Sequence, residues 1–230
     1  MSRLIITFIC LLSFAATAQA KSSFSKKFGY QLCKQSGYYC MKVKRGQSWH
    51  KLFPNARERE IVRKVNRMNT GLLSGMTIAV PRNLSSSNFL SLAPFPKKIK
   101  PQSRTMLKVN LKQLAWGAYD KNGNLVNWGP ASGGKNYCPD VKRACRTVQG
   151  TYTIQRRQGA GCKSSKYPRP NGGAPMPYCM HFYKGYAMHG SNTVPGYNAS
   201  HGCVRLFTSD ARWINQQFVR VGSTKVQITR

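Results

Sequence analysis

From Thr105 onward apolar and polar side chains alternate with period two. Leu107, Val109 and Leu111 fall on one parity, and Met106, Lys108 and Asn110 on the other. That is the pattern of a strand with one buried face. Leu114, Trp116, Ala118 and Tyr119 supply its partner, and Lys121-Asn122-Gly123-Asn124 reads as the hairpin turn between that partner and Leu125–Trp128. Gly133-Gly134 closes a further turn. Gly150–Ile154, Tyr178–Phe182, Tyr186–Met188 and Lys225–Thr229 read as further strands, and Asp210–Phe218 as a short helix. Short strands at close spacing predict a mainly β domain over 105–230. The stretch 155–177 breaks the pattern, with Gly, Pro and charge but no period. A long loop inside a β domain suggests a rim or lid over a site.

The first half reads differently. Met41–Lys44 is a short strand, Arg45-Gly46-Gln47 a turn, and Ser48 a cap for a helix over Trp49–Phe53. Pro54-Asn55 interrupts it. Arg57–Arg67 is a second helix with Ile61, Val62 and Val65 on one side, and Met76–Val80 a second strand ended by Pro81. The predicted order over 38–81 is therefore βααβ, a small α+β unit. Residues 82–104, rich in Ser, Pro and Lys, read as a linker.

The N-terminus adds a location. Arg3, the apolar run Leu4–Ala16 and Ala18-Gln19-Ala20 have the layout of a cleaved signal peptide over residues 1–20, and the run is too short to span a bilayer. Cys10 leaves with it. Export to a periplasm or cell wall is expected, with no transmembrane segment.

Charge narrows the partners. The chain carries 37 Lys plus Arg against 5 Asp plus Glu, a formal +32. Such a field attracts polyanions. In an exported protein these would be anionic envelope polymers rather than nucleic acid, for which no recognised binding motif is present, and a merely solvated basic surface is the alternative.

Seven cysteines remain beyond the leader. Sequence proximity favours the pairs Cys33–Cys40, Cys138–Cys145 and Cys162–Cys179 as disulfides, leaving Cys203 unpaired. No Cys-x-x-Cys pair exists and the four histidines are scattered, so neither metal nor other cofactor is expected. Cys203 also has the richest setting, Ser200-His201-Gly202-Cys203-Val204-Arg205, with His189-Gly190 upstream. A thiol is a nucleophile as its thiolate, which a nearby base or positive field promotes. His189 can be the base, Arg205 the field, and Gly202 permits close approach.

That constellation resembles the L,D-transpeptidase catalytic domain of YkuD type, whose pattern is a His-Gly pair followed by Ser-His-Gly-Cys, an aliphatic residue and Arg or Asn. Thr147-x-x-Gly150-x-Tyr152-x-Ile154 also fits, with Val148 where the family often has proline. Val43, Gly46 and Ser48, Asn66 and Asn69, and Leu73, Gly75, Met76, Ile78, Val80 and Pro81 resemble a LysM glycan-binding module. The resemblance implies a YkuD-like β-sandwich behind a LysM-like module. It makes Cys203 the nucleophile and His189 the base. The Gly190 carbonyl orients the imidazole, and the N–H groups of Gly202 and Cys203 are oxyanion donors. Ser200 is expected to bond neighbouring backbone, and His201 to hold the loop. Arg205 would meet a substrate carboxylate or brace backbone carbonyls. His181 is expected on the opposite strand face, and Asp210 at a helix start.

The activity implied is peptidoglycan crosslinking between third stem residues through a thioester, with stem peptides and glycan as partners. L,D-carboxypeptidase action or lipoprotein attachment by the same site are alternatives. A non-catalytic glycan-binding wall protein is the alternative of another class.

Overall fold

A computed structural model describes residues 28–230, so the leader segment and Cys10 lie outside the described residues. Helix α1 (Phe28–Leu32) precedes β1 (Tyr38–Lys42), α2 (Trp49–Leu52), α3 (Ala56–Val65) and β2 (Thr77–Pro81). Ser48 Oγ accepts from the Lys51 N–H at the start of α2, and Asn55 Oδ1 from the Arg57 and Glu58 N–H groups at the start of α3. β1 and β2 pair antiparallel from Tyr38↔Pro81 to Lys42↔Thr77. The first strand thus begins before the predicted Met41, because Tyr38, Tyr39 and Cys40 all find ladder partners on β2.

Val43, Trp49, Phe53, Val62, Met68, Met76, Ile78 and Val80 form this unit's own core. A second cluster reaches beyond it: Phe28, Leu32, Ile61, Val65 and Ala79 pack with Leu114 and Trp128. The stretch 82–104, polar by composition, contributes to that seam. Phe89 stacks on Trp128 at 4.8 Å between ring centroids, and the Trp128 indole N–H donates to the Phe89 carbonyl at 2.7 Å. Leu90, Leu92 and Phe95 pack against the same cluster.

The remainder is mainly β. Strands β3 (Met106–Asn110), β4 (Ala115–Tyr119), β5 (Leu125–Ser132), β6 (Gly150–Thr153), β7 (Arg156–Arg157), β8 (Met180–Tyr183), β9 (Tyr186–Gly190), β10 (Val204–Leu206) and β11 (Lys225–Thr229) form one sheet. Its order is β6-β11-β3-β4-β5-β10-β9-β8-β7. The expected sandwich is thus one continuous curled sheet. β5 pairs with β4 on one side and with β10 on the other, so two sheet halves share it. The curl brings the far end of the order back: Tyr152 of β6 meets Phe182 and Tyr183 of β8 at 5.4 and 5.0 Å. Inside lie Leu107, Val109, Trp116, Met180, Phe182, Met188, Val204, Val226 and Ile228, all essentially inaccessible to solvent.

Helix α4 (Thr208–Trp213) is capped by Phe207 and widens into a π-type turn over Ile214–Phe218. Asp210 is therefore a first-turn residue, not the helix start the sequence suggested, and it is 4% exposed. Its Oδ1 accepts from Lys64 Nζ of α3 at 2.8 Å, a buried ion pair joining the two parts of the chain. Cys33–Cys40, Cys138–Cys145 and Cys162–Cys179 are disulfides, and Cys203 is free. No helix among the described residues is long and apolar enough to cross a membrane.

Candidate active site

Two parallel strands present the candidate residues. β10 and β9 pair with Arg205 opposite His189 and Val204 opposite Met188. Continuing that register sets Cys203, the residue just before β10, beside Ala187, against which it packs. On β9 residues 187 and 189 share a face, so Cys203, His189 and Arg205 come to one side of the sheet.

The loop before Cys203 is held in a tight turn. Ser200 Oγ accepts from the Gly202 N–H at 3.0 Å and donates a short hydrogen bond to the Cys203 carbonyl. Thr147 Oγ1 donates to the Gly202 carbonyl at 2.7 Å while accepting from the Gly134 N–H at 2.9 Å. Gly202 has φ +130, and a Cβ there would lie 2.9 Å from the Tyr186 ring. Both facts require glycine. The Gly202 N–H, expected as an oxyanion donor, is engaged by Ser200.

His189 is buried at 5% exposure, and its Nδ1 lies 2.9 Å from the Gly190 carbonyl oxygen. With Nδ1 donating, Nε2 carries the lone pair. Burial, with lesser effects of Arg205 and His181, lowers the imidazole pKa to about 4 against a partly offsetting bond to Gly190. Burial also raises the Cys203 thiol above its ordinary value, despite a bond from the Ala187 backbone and the field of Arg205. The two therefore rest as neutral thiol and neutral imidazole, because desolvation disfavours either charge. Cys203 Sγ rests 3.8 Å from the Gly185 carbonyl. Arg205 Nη1 donates to the Thr193 carbonyl and to Thr193 Oγ1, both at 3.3 Å, which braces the loop between His189 and Cys203.

Cys203 opens onto a cavity of about 500 Å³. His201, Gly202, Tyr186, His181, Met176 and Tyr167 line it, together with five cationic side chains. His201 Nε2 meets Asp140 Oδ2 at 2.7 Å, and its ring lies tilted against Tyr167 at 4.6 Å between centroids. It thus ties the Cys203 loop to the Cys138–Cys145 loop and to the rim. Sequence reading missed Asp140, which is distant along the chain from His201 and close only after folding. It also misplaced His181. His181 pairs with Ala187 across the β8–β9 hairpin, and cross-strand partners share a face, so it stands on the site side. Counting back from the turn at Lys184-Gly185 would have found it but for the bulge between His181 and Tyr183.

The rim over 155–177 is ordered by backbone pairing. The Ser164 N–H donates to the Ala174 carbonyl, the Met176 N–H to Cys162, and the Tyr178 N–H to Gly159. The Cys162–Cys179 disulfide closes its base. Arg143 Nη2 donates to Tyr167 Oη at 3.2 Å across the cavity mouth.

Cys138, Asp140 and His201 group their ligand atoms within 4.8 Å of one another, but the Cys138 sulfur is bonded to Cys145 and is no thiolate for a metal. No curated protein matches the chain. The family model of the L,D-transpeptidase catalytic domain, YkuD, matches residues 104–228. An L,D-transpeptidase structure from Xylanimonas cellulosilytica has a TM-score of 0.53 at 20% identity, covering 74% of this chain and 77% of that one. That likeness shows a shared fold. An L,D-transpeptidase of Stackebrandtia nassauensis gives 0.46 at 19% identity, with 64% and 62% covered. One from Mycobacterium smegmatis gives 0.45 at 20%, with 55% and 59% covered.

Proposed function

The chain belongs to the YkuD family of L,D-transpeptidase catalytic domains, and we propose that it is an exported transpeptidase that crosslinks peptidoglycan stems through a Cys203 thioester. The single observation that carries this reading is that adjacent parallel strands set Cys203, the free thiol among the described residues, on the same side of the sheet as an imidazole whose Nδ1 is anchored on the Gly190 carbonyl. The anchor fixes the tautomer and leaves Nε2 as base, so no carboxylate is needed.

The reaction runs in two steps. Rotation of the Cys203 side chain turns the sulfur from Gly185 toward His189, which takes its proton as the sulfur attacks the third-residue carbonyl of the donor. The S–C bond forms, the bond to terminal D-alanine breaks, and His189 returns the proton to the leaving amine. An amine of a second stem then attacks the thioester. Its proton passes through His189 back to sulfur, and a new amide joins the stems. With the Gly202 N–H engaged by Ser200, the Cys203 N–H is the donor left for the tetrahedral oxyanion. Loss of one such donor raises the barrier by about 3 kcal/mol.

The βααβ order of residues 38–81 supports a LysM-like reading of the first unit. Tethering to glycan would raise the local concentration of stems. Asn66 and Asn69 are spent inside the molecule, Asn66 on the Val62 and Ala79 backbone and Asn69 on Ser191 and Val194. Glycan contact on this reading therefore falls to exposed neighbours such as Leu73.

Mass spectrometry of wall fragments incubated with the chain lacking its leader tests the reading. Crosslinked dimers between third residues are expected. Release of D-alanine without dimers would make the site a carboxypeptidase. No thioester or product would leave only a glycan-binding role.

A further inference from the structure

The cavity in front of Cys203 carries a charge bias that the chemistry at sulfur does not use. Arg143, Arg156, Lys163, Lys166 and Lys184 line it, and no Asp or Glu does. Asp140, on the same Cys138–Cys145 loop as Arg143, is already engaged by His201. The cations come from four separate segments: the Cys138–Cys145 loop, β7, the rim and the β8–β9 turn. They converge by folding, not through one basic run in the sequence.

His181 belongs to the same wall. It is 8% exposed, and its Nδ1 is buried without a hydrogen-bond partner. Burial and the neighbouring Arg156 lower its pKa, so it adds a neutral polar group to the wall. A cavity of about 500 Å³ is of a size that holds several peptide residues. Converging guanidinium and ammonium groups without a countercharge suit carboxylates, which accept bidentate and charge-assisted bonds.

We propose that the cavity formed by Arg143, Arg156, Lys163, Lys166, Lys184 and His181 selects donor peptides whose residues flanking the attacked carbonyl carry free carboxylates, and discriminates against the same peptides with those groups as carboxamides. This rests on the transpeptidase reading and specifies its donor. A carboxamide keeps the shape and loses the charge. The gain from each carboxylate must therefore come from the cationic wall.

Binding separates the two ideas, because it does not need the thiol. The Cys203→Ala protein is titrated with a tetrapeptide ending in D-alanine, in free-acid and amidated forms, at about 0.05 and 0.5 M salt. The free acid is expected to bind about ten- to hundredfold more tightly at low salt, with the ratio shrinking at high salt. Arg156→Gln and Lys163→Gln should lower that ratio, and Arg156→Lys should largely keep it. Equal affinity for the two peptides, or a ratio untouched by both glutamine variants, overturns the proposal. A clear preference in binding with no turnover by the wild-type protein would uphold this selectivity and strike the transpeptidase reading instead.

Discussion

Asn69 holds Val194 from both sides: its backbone N–H donates to the Val194 carbonyl at 2.9 Å, and its Oδ1 accepts from the Val194 N–H at 2.8 Å. Its Nδ2 donates to the Ser191 carbonyl at 2.7 Å. Ser191 and Val194 lie in the loop that leads from His189 to Cys203. Arg205 braces that loop at Thr193. The first unit therefore grips the loop from outside while Arg205 grips it from the site side.

Asn69→Ala should leave the Val194 N–H, beside a fully buried side chain, without its partner. A cost of about 1–3 kcal/mol follows from such a loss. Urea unfolding should show it, and carbapenem acylation of Cys203 should slow with the loosened loop. Unchanged unfolding and acylation would mean that the grip is incidental.

The Lys64–Asp210 pair gives a pH-dependent test. Burial, against the attraction of Lys64, raises the Asp210 pKa to about 6 from 3.8. Between those values the folded chain keeps a proton that the unfolded chain releases. Asp210's contribution to stability therefore falls as pH rises through this window and is flat above it. Lys64→Met removes the compensating charge. It should cost about 3 kcal/mol near pH 8, with most of the loss gone near pH 4.5, where the carboxyl is protonated in both proteins. Lys64→Met with Asp210→Asn should recover stability at pH 8. Equal losses at both pH values would show that the pair acts through packing alone.

These two links illustrate what the sequence did and did not disclose. The strand 106–110 was readable because one parity faces a core, whereas 115–119 is buried at every position and reads as its partner through its apolar run. The disulfides were readable because their partners are close in sequence. The blocks that carry His189 and Cys203 are short and stand out in the sequence, but the register of β10 on β9 that sets them on one side of the sheet comes only with folding. The link from Asn69 to Val194, that from Lys64 to Asp210, and the Asp140–His201 contact are products of tertiary packing, and no local pattern encodes them. The role of 82–104 was obscured by composition, since its apolar anchors, Phe89, Leu90, Leu92 and Phe95 among them, sit among polar neighbours. Thr147 looked like part of a strand motif, yet its hydroxyl holds the Gly202 carbonyl.

The Cys162–Cys179 bridge closes a loop with a separation of 17 residues. Chain entropy assigns a loop of that length about 3 kcal/mol. Replacing both cysteines with alanine should lower the melting temperature and open the rim to limited proteolysis between Lys163 and Pro175, where backbone pairing now protects it. An unchanged cleavage pattern would show that the rim is held by its hydrogen bonds alone.

Thiol reactivity gives the sharpest test of the site's electrostatics. A thiolate–imidazolium pair would keep Cys203 reactive on a plateau between about pH 5 and 8. The structure favours the opposite resting state. Burial lowers His189 to about 4 from 6.5 and raises Cys203 above its ordinary 9.0. Alkylation by iodoacetamide should therefore rise only at alkaline pH, with no shoulder below. Turnover should behave differently. The neutral imidazole it needs persists well below pH 6.5, so the acid limb of the activity profile should fall near pH 4 to 5. Stability carries the matching sign. A depressed folded pKa adds stability that is present above 6.5 and is lost as pH falls through 4. His189→Ala should abolish turnover while leaving the alkaline alkylation limb in place, because an uncharged imidazole contributes little to the thiol's ionisation. A low-pH alkylation plateau that disappears in His189→Ala would establish the ion pair and reject the neutral resting state.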